Sequence, residues 1–117
     1  MKKKILCFDL DNTICITKGK QYSKSKPIKK VIILINNLYS EGHYIKIFTS
    51  RYMGRNNDNI KKANKQGYKS TSKQIKSWGL KFHKLIIGKP SFDFFVDDRS
   101  IGFKKNWPST LRKIIKR

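Results

Sequence analysis

Four short apolar runs, each closed by acids, hydroxyls or a tight turn, dominate the pattern of this chain: KILCFDL, HYIKIFTS, HKLIIG and FDFFVDD. Runs of this length suit buried strands, and the first three are set apart by helical or polar intervals. PIKKVIILINNLYSEG is the clearest helix, with Pro27 in its first turn, apolar positions at Ile28, Val31, Ile32, Leu34, Ile35, Leu38 and Tyr39, and Gly42 as its stop. STSKQIKSWG predicts a short helix and PSTLRKIIKR a last one; residues 52–69 are polar and poor in apolar periodicity, and ICITKGKQYSKSK reads as a loop or small hairpin. Strands joined by helical crossovers run parallel with right-handed connections. The expected fold is α/β: a three-layer Rossmann-like arrangement, a mainly parallel sheet with helices on both faces, built as a single domain over residues 1–117.

With 38% hydrophobic and 12% aromatic residues, the chain has the material for a core despite a net charge of +21. An excess of 28 Lys and Arg over seven Asp and Glu raises nucleic acid, an anionic surface or a phosphorylated substrate as partner. Abundant Lys, Ile and Asn beside sparse Arg and almost no Ala match AT-rich codon usage, and the lysines are scattered, so a solvated surface is the preferred reading. Cys7 and Cys15 form no C-x-x-C pair, which argues against a zinc site or a disulfide framework and fits a reducing cytoplasm. Six residues beyond them stand Thr13 and Gln21, not the Arg that a cysteine-based phosphatase loop requires. No run approaches the ~20 apolar residues of a membrane span, so a cytoplasmic protein without a membrane partner is expected.

Ligands of parallel α/β sheets sit beyond the carboxyl ends of the strands. Those ends carry Asp9 with Asp11, Thr49 with Ser50, and Asp97 with Asp98, while Lys89 follows the remaining strand. Singly, each has an ordinary explanation as a turn or cap residue. Jointly, four of only seven acids converge on one edge. Crowded carboxylates without His or Cys favour a hard cation, so Mg²⁺ is the expected cofactor. Arg51 and Arg55 follow a site strand and suit bidentate phosphate contacts. His43, His83, Trp78 and Trp107 read as structural or surface residues.

In that order FDLDNT, IKIFTS, GKP and FFVDD resemble the four motifs of the haloacid dehalogenase-like phosphatases, and together they span residues 5–98. The resemblance implies Asp9 as nucleophile, Asp11 as general acid and then base, Thr49 as a donor to the phosphoryl oxygens and Lys89 as the neutralising cation. It also implies Mg²⁺ held by Asp9, the Asp11 carbonyl, Asp97 and Asp98, with Asp97 the more direct ligand. Ser50 can share the part of Thr49, and Arg51 is the added substrate-binding candidate. Neither the stretch after the first strand nor the gap from Lys89 to Asp97 can hold a cap domain. Specificity would then come from residues 14–26, from 51–70, or from a neighbouring subunit of a homo-oligomer. FDLDNTIC, LYSEGH, TSR, QIKSWGL and GKPSFDFFVDD are together most similar to small capless phosphatases of capsule and sugar biosynthesis, which implies a phosphosugar or similar small metabolite. Two alternatives stand beside it: a phosphatase of nucleic-acid ends or nucleotides, and a basic, non-enzymatic nucleic-acid-binding module.

Overall fold

The computed structural model describes residues 2–115. β1 (Ile5–Asp9) turns into a short antiparallel pair, β2 (Cys15–Ile16) and β3 (Lys26–Pro27), followed by α1 (Lys29–Ser40), β4 (Tyr44–Thr49), α2 (Ile60–Ser77), β5 (Lys84–Ile87) and α3 (Trp107–Ile115). β1, β4 and β5 make a parallel sheet in the order β1-β4-β5, with Asp9 opposite Phe48 and Phe48 opposite Ile86. Among the described residues no helix is long and apolar enough to cross a membrane.

Side chains alternate across a strand, and the three parallel strands bury one set. Phe8, Ile45, Ile47 and Leu85 enter the main core with Ile35 and Leu38 of α1, Ile75 of α2, and Leu111 and Ile115 of α3. Ile87 enters a smaller cluster with Met53 and Ala63. The alternate set, including Ile5, Cys7, Tyr44 and Lys84, is exposed, and Lys46, Phe48 and Ile86 are half-buried. The helices thus supply the core against one face of the sheet, where helices on both had been expected.

Three local expectations change for physical reasons. Pro27 sits in β3, not in the first turn of a helix, because the chain is still pairing there: Cys15 lies opposite Pro27 and the Ile28 N–H donates to Ile14 O at 2.9 Å. The short helix expected over STSKQIKSWG begins earlier, inside the polar stretch 52–69, because α2 starts at Ile60 with the Asn59 side chain capping Lys62 N. Its buried stripe is Ala63, Gly67, Thr71 and Ile75, spaced by four residues but made mostly of small or polar side chains that carry little apolar signal. FDFFVDD, the expected fourth strand, pairs with nothing; residues 91–100 are exposed, with Phe94 at 88% and Val96 at 96%. β1 therefore remains an edge strand. The expected last helix forms from Trp107; its final residues, Lys116 and Arg117, lie outside the described residues.

Gly67 is required by a close approach, since a Cβ there would overlap the Tyr52 ring. Overpacking of this kind costs about 1–3 kcal/mol, against a gain of about 1 kcal/mol from replacing a helical Gly by Ala. Gly67→Ala should therefore lower the thermal midpoint, and a midpoint raised by the substitution would contradict this packing.

His43 behaves as the structural residue expected. It is wholly buried after α1, and its Nδ1 accepts the Lys4 N–H at 3.0 Å where the chain enters β1. Burial holds its imidazole below the ordinary 6.5, with Lys3, Arg112 and Lys4 adding to the shift and Glu41 opposing it. Below pH 6.5 the unfolded chain takes up a proton that the folded ring does not, so stability is full above that pH and falls as pH is lowered. Urea melts from pH 7.5 down to pH ~5 should show this loss, and His43→Asn should flatten it.

Candidate active site

The C-terminal end of β1 delivers Asp9 into a tight turn in which Ile14 N donates to Leu10 O at 2.9 Å and Asn12 adopts the left-handed region at φ 62°. Thr13 Oγ1 donates to Asp9 Oδ2 at 3.3 Å. On the far side of β4, the Gly88 and Lys89 N–H groups both donate to Thr49 O at 3.2 Å, hanging the turn after β5 on the end of the central strand. Lys89 Nζ thereby comes within 3.4 Å of Asp9 Oδ1. Burial pushes the Asp9 carboxyl above its ordinary range, opposed by the Lys89 charge and the Leu10 N–H.

Arg51 is the centre of a second, deeper cluster. Only 2% exposed, it donates from Nε to Asp11 Oδ2 at 2.9 Å and to Oδ1 at 3.1 Å, and from Nη2 to Oδ1 at 2.8 Å. Its Nη1 donates to Gln74 Oε1 at 2.6 Å, its Nη2 to Ser25 Oγ at 3.2 Å, and the guanidinium lies 4.8 Å from the Tyr22 ring centre. Thr17 Oγ1 donates to Asp11 Oδ1 at 2.6 Å. Asp11 Oδ1 is thus crowded with donors, whereas Oδ2 accepts from Arg51 Nε and keeps a free lone pair. Tyr52, next to Arg51, is also left-handed at φ 68°, so both loops that carry this pair hold a non-glycine residue in a sparsely populated conformation.

Asp9, Asp11, Thr49, Ser50, Arg51 and Lys89 all lie on the loops and strand ends at this edge. Thr49 is buried at 1% exposure on the core side, its Oγ1 accepting the Arg51 N–H at 3.1 Å. Ser50, half-buried, is the next residue along. Asp97 and Asp98 are on the exposed segment after β5; Asp97 Oδ1 accepts the Arg99 N–H at 3.1 Å, which holds its carboxyl below the ordinary range. Among the described residues no group of three or more His, Cys, Asp or Glu could hold a metal ion. In this arrangement Asp9 and Asp11 face Lys89 and Arg51 in place of further acids, so the residues brought together do not fit Mg²⁺.

Four participants were not legible in the sequence: Thr17, Ser25, Gln74 and Tyr22. The first two are bonded to each other at 2.6 Å across the β2–β3 flap, and Gln74 Nε2 donates to Tyr22 O at 2.7 Å, tying that flap to α2. Only the position of Gln74 beside the buried stripe of α2 could have pointed to it. Cys15 is buried, its thiol donating to Leu10 O and Asp11 Oδ1 at 3.6 Å, and burial pushes it up, so it serves as a hydrogen-bonding thiol and not as a nucleophile. A cavity of about 340 Å³ opens between flap and α2, lined by Tyr22, Ser23, Arg51, Tyr52, Lys73 and Gln74 among others.

No protein-family model and no curated protein matches the chain. Its structure is similar to the crystal structure of a target protein from Vibrio cholerae, with a TM-score of 0.78 over 97% of this chain and 99% of that one, at 23% identity. The likeness establishes the α/β fold with its mainly parallel sheet.

Removing one partner of a buried pair costs about 3–5 kcal/mol, and Asp11, with its side chain 21% exposed, places Arg51→Met toward the low end. The double variant Arg51→Met/Asp11→Leu should recover much of that loss in a urea-melt cycle. Strict additivity of the two single changes would show that the pair is not coupled.

Proposed function

We propose that the protein is a phosphomonoester hydrolase working through an aspartyl-phosphate on Asp9. The observation that supports it most is the pairing of a partly buried strand-end carboxylate with Lys89 beside a second carboxylate, Asp11, fixed by Arg51. Asp9 attacks phosphorus through a carboxylate oxygen as the bond to the leaving oxygen breaks, and Asp11, carrying a proton on the Oδ2 lone pair that Arg51 leaves free, passes it to that oxygen. Water then attacks the phosphorus of the acyl phosphate, Asp11 takes up its proton, and phosphate leaves with Asp9 restored. Lys89 offsets charge on nucleophile and phosphoryl group; with the Thr49 hydroxyl turned to the core, the half-buried Ser50 is the hydroxyl left to donate to the phosphoryl oxygens.

On this reading residues 92–96 would join the free edge of β1 and complete a wider, three-layer Rossmann-like sheet. Asp97 and Asp98 would then stand beside Asp9, restoring the acidic set that the sequence motifs imply for Mg²⁺. A phosphosugar or similar small metabolite is the proposed substrate: the cavity between flap and α2 is large enough for one, and the Tyr22 and Tyr52 rings stand there beside Ser23, Lys73 and Gln74. Two free cysteines accord with a cytoplasmic setting.

Phosphate release from an aryl phosphate and a phosphosugar panel, with Mg²⁺ and with chelator, tests the proposal. Asp9→Asn should abolish turnover and covalent phosphate on the Asp9 peptide, and Lys89→Met should lower kcat by about 10²–10³. Turnover unchanged in Asp9→Asn, or none from the wild type on any substrate, would refute it.

A further inference from the structure

At the opposite end of the sheet, where β5 begins, lies a cavity of about 560 Å³. One wall is a stripe of α2, Tyr68, Ser72 and Lys76, whose spacing of four residues stacks them along one helix face. The other wall is the chain entering β5, with Lys81, His83 and Lys84, over a floor that includes Leu80 and Leu85. None of the seven acidic residues lines it.

The groove is preformed. Asn36 of α1 clamps its rim, donating from Nδ2 to Gly79 O at 2.9 Å and accepting the Lys81 N–H at 2.8 Å. His83 is fixed between two rings, with Tyr39 at 4.4 Å and Tyr44 at 4.5 Å, both nearly parallel, and its Nδ1 accepts the Ile45 N–H at 3.0 Å. Its other nitrogen, Nε2, is left as the donor. Tyr39 and Tyr44 stack on His83 and Tyr22 packs edge-to-face with Tyr52, whereas Tyr68, 40% exposed, has no ring or cation partner among the described residues. An open aromatic face framed by three lysines, without an acid, matches a ligand that alternates flat bases with phosphates.

We infer that this groove binds single-stranded nucleic acid, one base stacking on Tyr68 while Lys76, Lys81 and Lys84 engage the flanking phosphates. A base must be unstacked to lie on Tyr68, which favours a single strand over a duplex. The groove stands apart from Asp9, so the inference holds whether or not the hydrolase proposal does.

Fluorescence anisotropy with a short oligo(dT), an oligo(U), an abasic strand of equal length and AMP tests it, using Asp9→Asn protein so that hydrolysis cannot interfere. Tyr68→Ala should weaken the base-bearing strands roughly tenfold and the abasic strand hardly at all. Lys76→Glu/Lys81→Glu/Lys84→Glu should reduce the slope of log K against log salt by about 2, from about 0.7 for each phosphate neutralised. The charge-matched Lys29→Glu/Lys30→Glu/Lys113→Glu, altering exposed lysines outside the groove, should bind more tightly than that variant. Circular dichroism checks that each variant folds. Equal losses in the two triple variants, equal binding of the abasic strand, or AMP binding as tightly as the oligonucleotides would overturn the inference.

Discussion

A guanidinium inside a protein of this size is the condition around which the rest is arranged. Burying Arg51 costs several kcal/mol of hydration, and the cost is offset only because Asp11, Gln74 and Ser25 accept its N–H groups while Tyr22 covers a face. Those partners come from the turn after β1, the flap and α2, so no one of these segments settles without the others. The small side chains of α2 follow from the same demand: Gly67 leaves room for Tyr52, and Tyr52 belongs to the strained loop that carries Arg51.

Two acid–cation pairs with different surroundings result. Asp9 and Lys89 are partly accessible, at 35% and 15% side-chain exposure, whereas Arg51 is sealed behind Asp11. The parity of the sheet makes this division. Asp9 shares its face with Phe48, and Thr49, one residue on, turns to the core side, where its hydroxyl braces the backbone of Arg51. Chemistry that needs a reactive carboxylate is thereby separated from the network that keeps its neighbour in position.

What could be read in advance follows from how locally each feature is encoded. β1, β4 and β5 and the apolar stripe of α1 were legible because burial on a strand or helix leaves a direct periodic trace in the side chains. Asp9, Asp11 and Lys89 were legible because strand ends of a parallel sheet share one edge. Of α2 only the part within STSKQIKSWG was legible; its first half was not, since the contact stripe there is Ala63 and Gly67, which leave little apolar signal. Arg51 was expected to meet substrate; its burial depends on partners 23 to 40 residues away, and no local pattern encodes that. FDFFVDD has the composition of a strand, but composition does not decide which edge, if any, a segment joins.

The free edge of β1 and the bare phenylalanines after β5 are features that ordinarily drive chains to associate. Here the edge is preceded by Lys2, Lys3 and Lys4, and the whole molecule carries a charge of +21. Mutual repulsion of that size acts as a colloidal barrier, keeping one copy from reaching the sticky surfaces of another. The lysine excess therefore has a physical consequence that codon usage neither requires nor prevents. Its range is set by the surrounding electrolyte, about 8 Å at physiological ionic strength, so the dispersion of this protein is tied to the ionic strength around it.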